Sequence, residues 1–268
     1  VTAWSAEVNA ARRAALAGGA VLSRHWHQRL FTVSAKSAGS PVTSADLEAN
    51  HAIAAVLRPR FPDYGWLSEE TADDRERLAR RRVWIVDPLD GTEEFIQGVA
   101  DFCVSIALAE DGAPVLGVIY HPIRRELYWG LRAVGCFLGR RRVSVSRIAS
   151  LRRATVLASR SETKRGEWLK FDAEFRSVPV GSVAYKLARV AAGLADATFT
   201  CRPKNEWDIA GGAALVEAAG GRLTTLNGQP LHFNRSEVKI ADLLASNGLL
   251  HQPLRSLIAR KCAACDGR

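Results

Sequence analysis

One string constrains this chain more than any other: Asp87-Pro88-Leu89-Asp90-Gly91-Thr92, set directly behind the apolar run Val83-Trp84-Ile85-Val86. The run is rich in β-branched residues and predicts a short buried strand. Pro88 lacks an amide hydrogen and is expected to stop that strand. Gly91 allows a positive φ or a close approach of a ligand to the backbone. Glu93-Glu94-Phe95-Ile96 then predicts a short helical turn. Two carboxylates three residues apart are thereby pinned at a strand end, beside amides at a helix start. Hard cations take such oxygens, and phosphate takes such amides. A bare Asp-x-x-Asp is most often an acidic surface turn, whereas the whole six-residue string is far more specific.

The 268 residues suffice for one large domain or two fused halves with a real core. No run reaches the roughly eighteen apolar residues of a membrane span. No basic-then-apolar leader is present either, so a cytoplasmic location without a membrane partner is expected. Five cysteines, Cys103, Cys136, Cys201, Cys262 and Cys265, are odd in number and irregular in spacing, which argues against a disulfide framework. Cys262 and Cys265 form a lone CxxC with no second pair to complete a zinc site, and read as a loose tail. The 37 Lys and Arg against 28 Asp and Glu give a net charge of +9. The clusters Arg80-Arg81-Arg82, Arg140-Arg141-Arg142 and Arg152-Arg153 have no aromatic residues interleaved for base stacking. They read as solvated faces, with steering of an anionic small molecule as the next option, and nucleic acid is not the expected partner.

In chain order, residues 5 to 30 are alanine-rich with roughly helical apolar spacing and predict a long packing helix. Ser37 to Pro41 reads as a polar loop. Asp46 opens a second helix, where a first-turn acid is commonplace. Trp66-Leu67-Ser68 predicts a strand that runs into Glu69-Glu70. Strands are expected at Phe102–Ala109 and Val115–Tyr120, joined by a turn at Asp111-Gly112, and again near Glu126–Gly130 and Gly135–Leu138. A soft boundary near Arg142–Arg153 separates residues 1–145 from residues 146–268. Beyond it come a strand at Ala154–Ala158, a helix at Ser161–Phe171, and a strand from Val178 that ends in a small-residue turn at Gly181-Ser182. The apolar helix Ser182–Ala192 carries Lys186, which on such a helix ordinarily snorkels to water. Asp208 would stand in the first turn of an Ala- and Gly-rich helix that can approach a sheet closely.

The central string, together with Val42-Thr43-Ser44-Ala45-Asp46, Leu67-Ser68-Glu69-Glu70 and Trp207-Asp208-Ile209-Ala210-Gly211, resembles the magnesium-dependent, lithium-sensitive phosphatases of the inositol monophosphatase and 3'(2'),5'-bisphosphate nucleotidase superfamily. The resemblance spans about residues 5 to 250. It implies an α+β fold, a layered α-β-α-β-α sandwich of the inositol monophosphatase and fructose-1,6-bisphosphatase type. The half 1–145 would carry most metal ligands, and the half 146–268 would supply Asp208 and substrate contacts. The resemblance also implies that Glu69 is a metal ligand and base, and that Asp46 bonds Thr92, which orients the attacking water. Gly181, Ser182 and Lys186 would face the substrate.

If Glu69, Asp87, Asp90 and Asp208 converge with Asp46 close by, the charges cannot all stay ionised alone. With no histidine or cysteine in the set, oxygen ligation points to Mg²⁺, two or three per site, with the Leu89 carbonyl as a further ligand. The expected chemistry is hydrolysis of a phosphate monoester by an activated water. Asp90, Gly91, Thr92 and Asp208 would contact the phosphate. Leu89, Glu94-Phe95 and Lys186 look nearer the bisphosphate nucleotidases, which convert adenosine 3',5'-bisphosphate to AMP, although Glu93 departs from them. Inositol-1-monophosphatase is the alternative, and a non-catalytic, basic nucleic-acid-binding protein is the outside one. The expected partner is a small phosphorylated molecule, and a homodimer stays open.

Overall fold

The structure is a computed structural model that describes residues 4–35 and 41–266, with side chains described as far as residue 261. The polar loop read at 37–41 therefore lies, except for Pro41, outside the described residues, as do the side chains of Cys262 and Cys265. Among the described residues no helix is long and apolar enough to cross a membrane. The helices are α1 (Ser5–Gln28), α2 (Ser44–Leu57), α3 (Thr92–Gln97), α4 (Arg160–Lys164), α5 (Val183–Ala191), α6 (Glu206–Ala218) and α7 (His251–Asp266).

A seven-stranded sheet is laid down in chain order: β1 (Gly65–Ser68), β2 (Arg82–Asp90), β3 (Cys103–Glu110), β4 (Ala113–His121), β5 (Glu126–Leu131), β6 (Gly135–Leu138) and β7 (Arg141–Val143). Only β1 and β2 are parallel; every later pair is antiparallel. Alternation along β2 shows how the sheet is covered. Trp84 and Val86 pack among alanines and aliphatic residues of α1 and α2, whereas Val83 and Ile85 join the core formed with α5 and α6.

A mixed five-stranded sheet follows, made of β8 (Thr155–Ser159), β9 (Arg176–Val180), β10 (Ala197–Thr200), β11 (Arg222–Thr224) and β12 (Leu243–Ser246), in the order β9-β8-β10-β12-β11. Strand β8 runs parallel to β9 and β10, while β12 is antiparallel to β10 and β11. Leu157, Leu223 and Ala245 face the α5–α6 core. Val156, Phe199 and Leu244 face the other way, onto α7 and the aromatic pair Trp168 and Phe171. The layers thus run α1/α2, large sheet, α5/α6, small sheet, α7, as the sandwich requires.

The middle layer is thin because backbone meets backbone there. A Cβ on Gly117 of β4 would lie 2.2 Å from the carbonyl oxygen of Gly211 in α6, and one on Gly212 would lie 2.3 Å from Leu187 Cβ in α5. The expected helix over Ser161–Phe171 does not form as one piece. Helix α4 ends at Lys164 and a 3₁₀ turn covers Leu169–Phe171. Gly166 sits between them at φ +77°, so the chain turns, and Trp168 and Phe171 fold in to pack on Phe199 at ring separations of 4.5 and 5.2 Å. Two ribbons, Val33–Ala35 with Pro41–Thr43 and Lys204–Asn205 with Lys239–Ile240, are too short to leave a periodic signal.

His251 fastens α7 to the small sheet. The Thr224 hydroxyl donates to the Thr225 carbonyl at 2.7 Å, so it accepts from His251 Nε2 at 2.9 Å, and Ser246 Oγ supplies a proton to Nδ1 at 3.0 Å. Both ring nitrogens are satisfied in the neutral ring. Burial, helped by Arg222 and Arg255, lowers its pKa to about 4 from 6.5. A depressed pKa of a base stabilises the fold above the unfolded value and loses that stability as pH falls through the folded one. Denaturation midpoints should therefore drop between pH 6.5 and about 4, and His251→Gln should flatten that limb; a variant as steep as wild type contradicts the assignment.

Candidate active site

Strand β2 does not stop at Pro88 but continues to Asp90 through a bulge. Asp87 pairs with Ser105 and Asp90 with Cys103, so three steps along β2 match two along β3. Pro88 sits where no ladder bond is asked of it, which is why the strand survives. Residues three apart on a regular strand face opposite sides. The extra residue turns Asp87 and Asp90 to the same side, and both line one cavity of about 320 Å³. Gly91 takes φ +104°, and a Cβ there would lie 2.8 Å from the Asp101 carbonyl oxygen.

Three of the expected carboxylates meet. Glu69 leaves the end of β1 and its N–H donates to Val86 O at 3.2 Å; Asp87 ends the regular part of β2; Asp208 comes from the first turn of α6. One carboxylate oxygen of each lies within 4.8 Å of the others, with Asp87 buried and the other two half-buried. Asn205 N–H donates to Asp208 Oδ2 at 2.9 Å, as a helix start demands. Asp90 stands beside this trio, but its Oδ2 accepts from Ser182 Oγ at 2.5 Å and from Ala184 N at 2.6 Å. It is therefore also the anchor of α5.

Asp46 has two duties. Its Oδ2 accepts from Thr43 N and Oγ1 at 2.9 and 2.6 Å, closing the capping box of α2. Its Oδ1 accepts from Thr92 Oγ1 at 3.0 Å, and the same hydroxyl lies 3.1 Å from Leu89 O. Both neighbours can only accept, so the Thr92 proton is committed to them and its lone pairs remain for another donor.

On the facing wall, Gly181 N donates to Asp101 Oδ2 at 3.1 Å, and a Cβ on Gly181 would lie 2.5 Å from Glu94 Cγ. Ser182 holds φ +58°, an unfavourable backbone for a non-glycine residue, while its Oγ caps α5 through Tyr185 N. Lys186 does not snorkel. It is 5% exposed, donates to Val180 O at 3.2 Å and lines the cavity. Lys204 and Glu162 line it too, and neither was singled out in the sequence. Lys204 precedes Asp208 by four residues in a string that reads only as a lead-in, and Glu162 fell inside the misread helix.

Burial, then the charges of Glu69, Asp90 and Asp208, pushes the Asp87 carboxyl well above the usual range. Burial and the charges of Asp90 and Glu69 do the same for Asp208, against the Asn205 N–H and Lys204. Asp90 is also raised, mainly by burial, although Ser182, Ala184 and Lys186 pull it back. Burial lowers Lys186, against the attraction of Asp90. Among the described residues the cavity lining has no histidine or cysteine, so its carboxylate donors are hard oxygens that fit a divalent cation such as Mg²⁺ and suit Zn²⁺ poorly.

Comparison with known proteins defines the class first: this is a phosphomonoester hydrolase fold with the acidic cluster in its cavity. The chain belongs to the inositol monophosphatase family, whose model matches residues 4–261. It is 36% identical to the inositol-1-monophosphatase of Mesorhizobium japonicum, over 96% of this chain and all of that protein. It is 35% identical to the 3'(2'),5'-bisphosphate nucleotidase CysQ of Escherichia coli, over 82% of this chain and 91% of that one. Among solved structures, the extragenic suppressor protein suhB of Bartonella henselae superposes with a TM-score of 0.84 at 32% identity, covering 94% of this chain and 98% of that one.

The electrostatics give a test without substrate. An acid whose folded pKa is raised stabilises the fold below its unfolded value, near 3.8 for Asp87, and loses that contribution as pH rises. In EDTA, Asp87→Asn should melt above wild type, by an amount that grows as pH rises above about 4, because the amide still accepts from Leu89 N without adding charge. Equal melting temperatures across that range would mean that the trio does not repel.

Proposed function

We propose that the protein is a Mg²⁺-dependent phosphomonoesterase that converts adenosine 3',5'-bisphosphate to AMP and phosphate. The observation that carries the hydrolytic part is the meeting of Glu69, Asp87 and Asp208 beside the Asp46–Thr92 pair. The choice of a bisphosphate draws on Leu89 and Glu94-Phe95, and on Lys186, a buried cation on the cavity wall with Lys204 beside it in the lining. A second phosphate would neutralise these lysines; an inositol hydroxyl would not.

Glu69, Asp87, Asp90 and Asp208, with the Leu89 carbonyl, would hold two or three Mg²⁺. When bound, these ions supply a water of lowered pKa and electrostatic stabilisation of the phosphate oxygens. Thr92, its own proton given to Asp46 or Leu89 O, accepts from that water and aims it. Glu69, half-buried at the cavity, takes up the proton. The amides of Gly91 and Thr92 bind the phosphate. Lys186 and Lys204 hold the second phosphate away from the acids. In-line attack of the water would break the P–O3' bond and release AMP, its 3'-oxygen protonated from solvent, with no covalent enzyme intermediate.

Phosphate release from the purified chain should require Mg²⁺ and fall with Li⁺. Adenosine 3',5'-bisphosphate should exceed inositol 1-phosphate by at least about tenfold in kcat/KM, the discrimination expected of one well-placed polar contact. The reverse order would favour the inositol reading, which the full-length likeness to an inositol-1-monophosphatase supports. Asp87→Asn is the cleaner ligand variant, because Asp90 also anchors α5. It should cut turnover by more than about 100-fold, beyond the range seen for outer-sphere changes, with its far-ultraviolet circular dichroism unchanged. Wild-type turnover in that variant would refute the scheme.

A further inference from the structure

We infer that Arg77 is a positioning residue for the carboxylate trio, acting through Glu206; the inference rests on the reading that the trio holds Mg²⁺. Glu69 and Asp87 follow neighbouring strands, so the β1–β2 ladder sets their separation. Asp208 arrives on α6 from the other half of the chain, and no ladder joins it to them. Its distance depends on how the start of α6 is fixed against the loop between β1 and β2.

A polar grip does this. Arg77 lies in that loop and is 1% exposed. Its Nε and Nη2 donate to the two oxygens of Asp73 at 2.9 and 2.7 Å. Its Nη1 donates to Asn234 Oδ1 at 2.8 Å, and Nη2 donates again to Arg235 O at 3.0 Å. Asn234 Nδ2 returns a bond to Arg77 O at 3.0 Å. From the other side, the backbone N–H groups of Asn234 and Arg235 donate to the Glu206 carboxylate at 2.6 and 3.0 Å. Glu206 is fully buried, opens α6 and stands two residues before Asp208. A dipeptide is thus held between a guanidinium from the Glu69–Asp87 loop and a carboxylate from the Asp208 helix.

The local backbone is shaped for it. Asn234 takes φ +59°, which lets successive N–H groups face one anion. Gly65 leaves room, since a Cβ there would lie 2.9 Å from Arg77 Cβ. A guanidinium offers its donors in a fixed plane, so the grip sets an angle as well as a distance, which an ammonium does not.

Mg²⁺ alone, titrated calorimetrically into the metal-free full chain, tests this. Arg77→Met should weaken Mg²⁺ binding by about 10- to 100-fold, as for outer-sphere partners of metal ligands, and Arg77→Lys should recover only part. Asn234→Gly keeps the backbone conformation and both N–H groups on Glu206 but removes both side-chain bonds between Asn234 and Arg77, leaving only Nη2 on the Arg235 carbonyl. It should weaken binding in the same direction, and it decides the matter alone if Arg77→Met does not fold. Leu254→Ala, in the core under α7, lowers stability without touching the grip and should leave Mg²⁺ affinity unchanged. Wild-type affinity in both grip variants, or an equal loss in Leu254→Ala, overturns the inference. A wild-type chain that takes up no Mg²⁺ overturns the proposed function instead.

Discussion

Like charges have to be gathered against their own repulsion, and the fold is arranged around the means of doing so. Asp46, Asp208 and Asp90 each give one oxygen to amides at the start of a helix: α2, α6 and α5 respectively. Each is thereby held by a bond that any helix start would welcome, and by the positive end of the helix dipole. The second oxygen of Asp46 reaches Thr92. Helix starts from both halves converge on one cavity, so the groups that fix the acids also soften the electrostatic penalty of collecting them.

This explains why the sequence leaves two readings open at Asp46 and Asp208. A first-turn acid and a site carboxylate look like rivals when each residue is assumed to have one role. With two oxygens per carboxylate the two readings are compatible: Asp46 caps α2 with one oxygen and accepts from Thr92 with the other. Most strands were legible because β2, β3 and β4 are short apolar runs bounded by turns that carry Asp-Gly or Pro, whereas the layer order followed only from the family resemblance. The end of β2 was misread because a missing N–H forbids a ladder bond only where the ladder is regular. Helix 161–171 was overextended because the period alone does not weigh Gly166 or the inward pull of Trp168 and Phe171 on Phe199. The grip of Arg77 leaves no local trace, since its partners lie near residues 206 and 234, far along the chain.

The two halves share one interior. Helices α5 and α6 are covered by the large sheet on one side and the small sheet on the other, and their residues join both in a single core. The cavity opens where these layers meet, with Glu69, Asp87 and Thr92 from the first half and Lys186, Lys204 and Asp208 from the second. A shift of α6 against β4 is opposed by the contact of Gly117 with the Gly211 carbonyl. Rigidity at that contact suits a cluster in which Asp208 comes from an element with no ladder to the strands that carry Glu69 and Asp87.

The bulge in β2 has a consequence for how such a chain can drift through mutation. Side chains along the string can be exchanged one at a time, and each exchange is a local loss. Removing a single residue between Asp87 and Asp90 would erase the offset against β3; the two acids would keep one face, but the bulge that presents the Leu89 carbonyl to Thr92 would be drawn into a regular ladder. Length there is guarded more strictly than composition, so relatives that differ elsewhere by whole loops should keep this interval fixed.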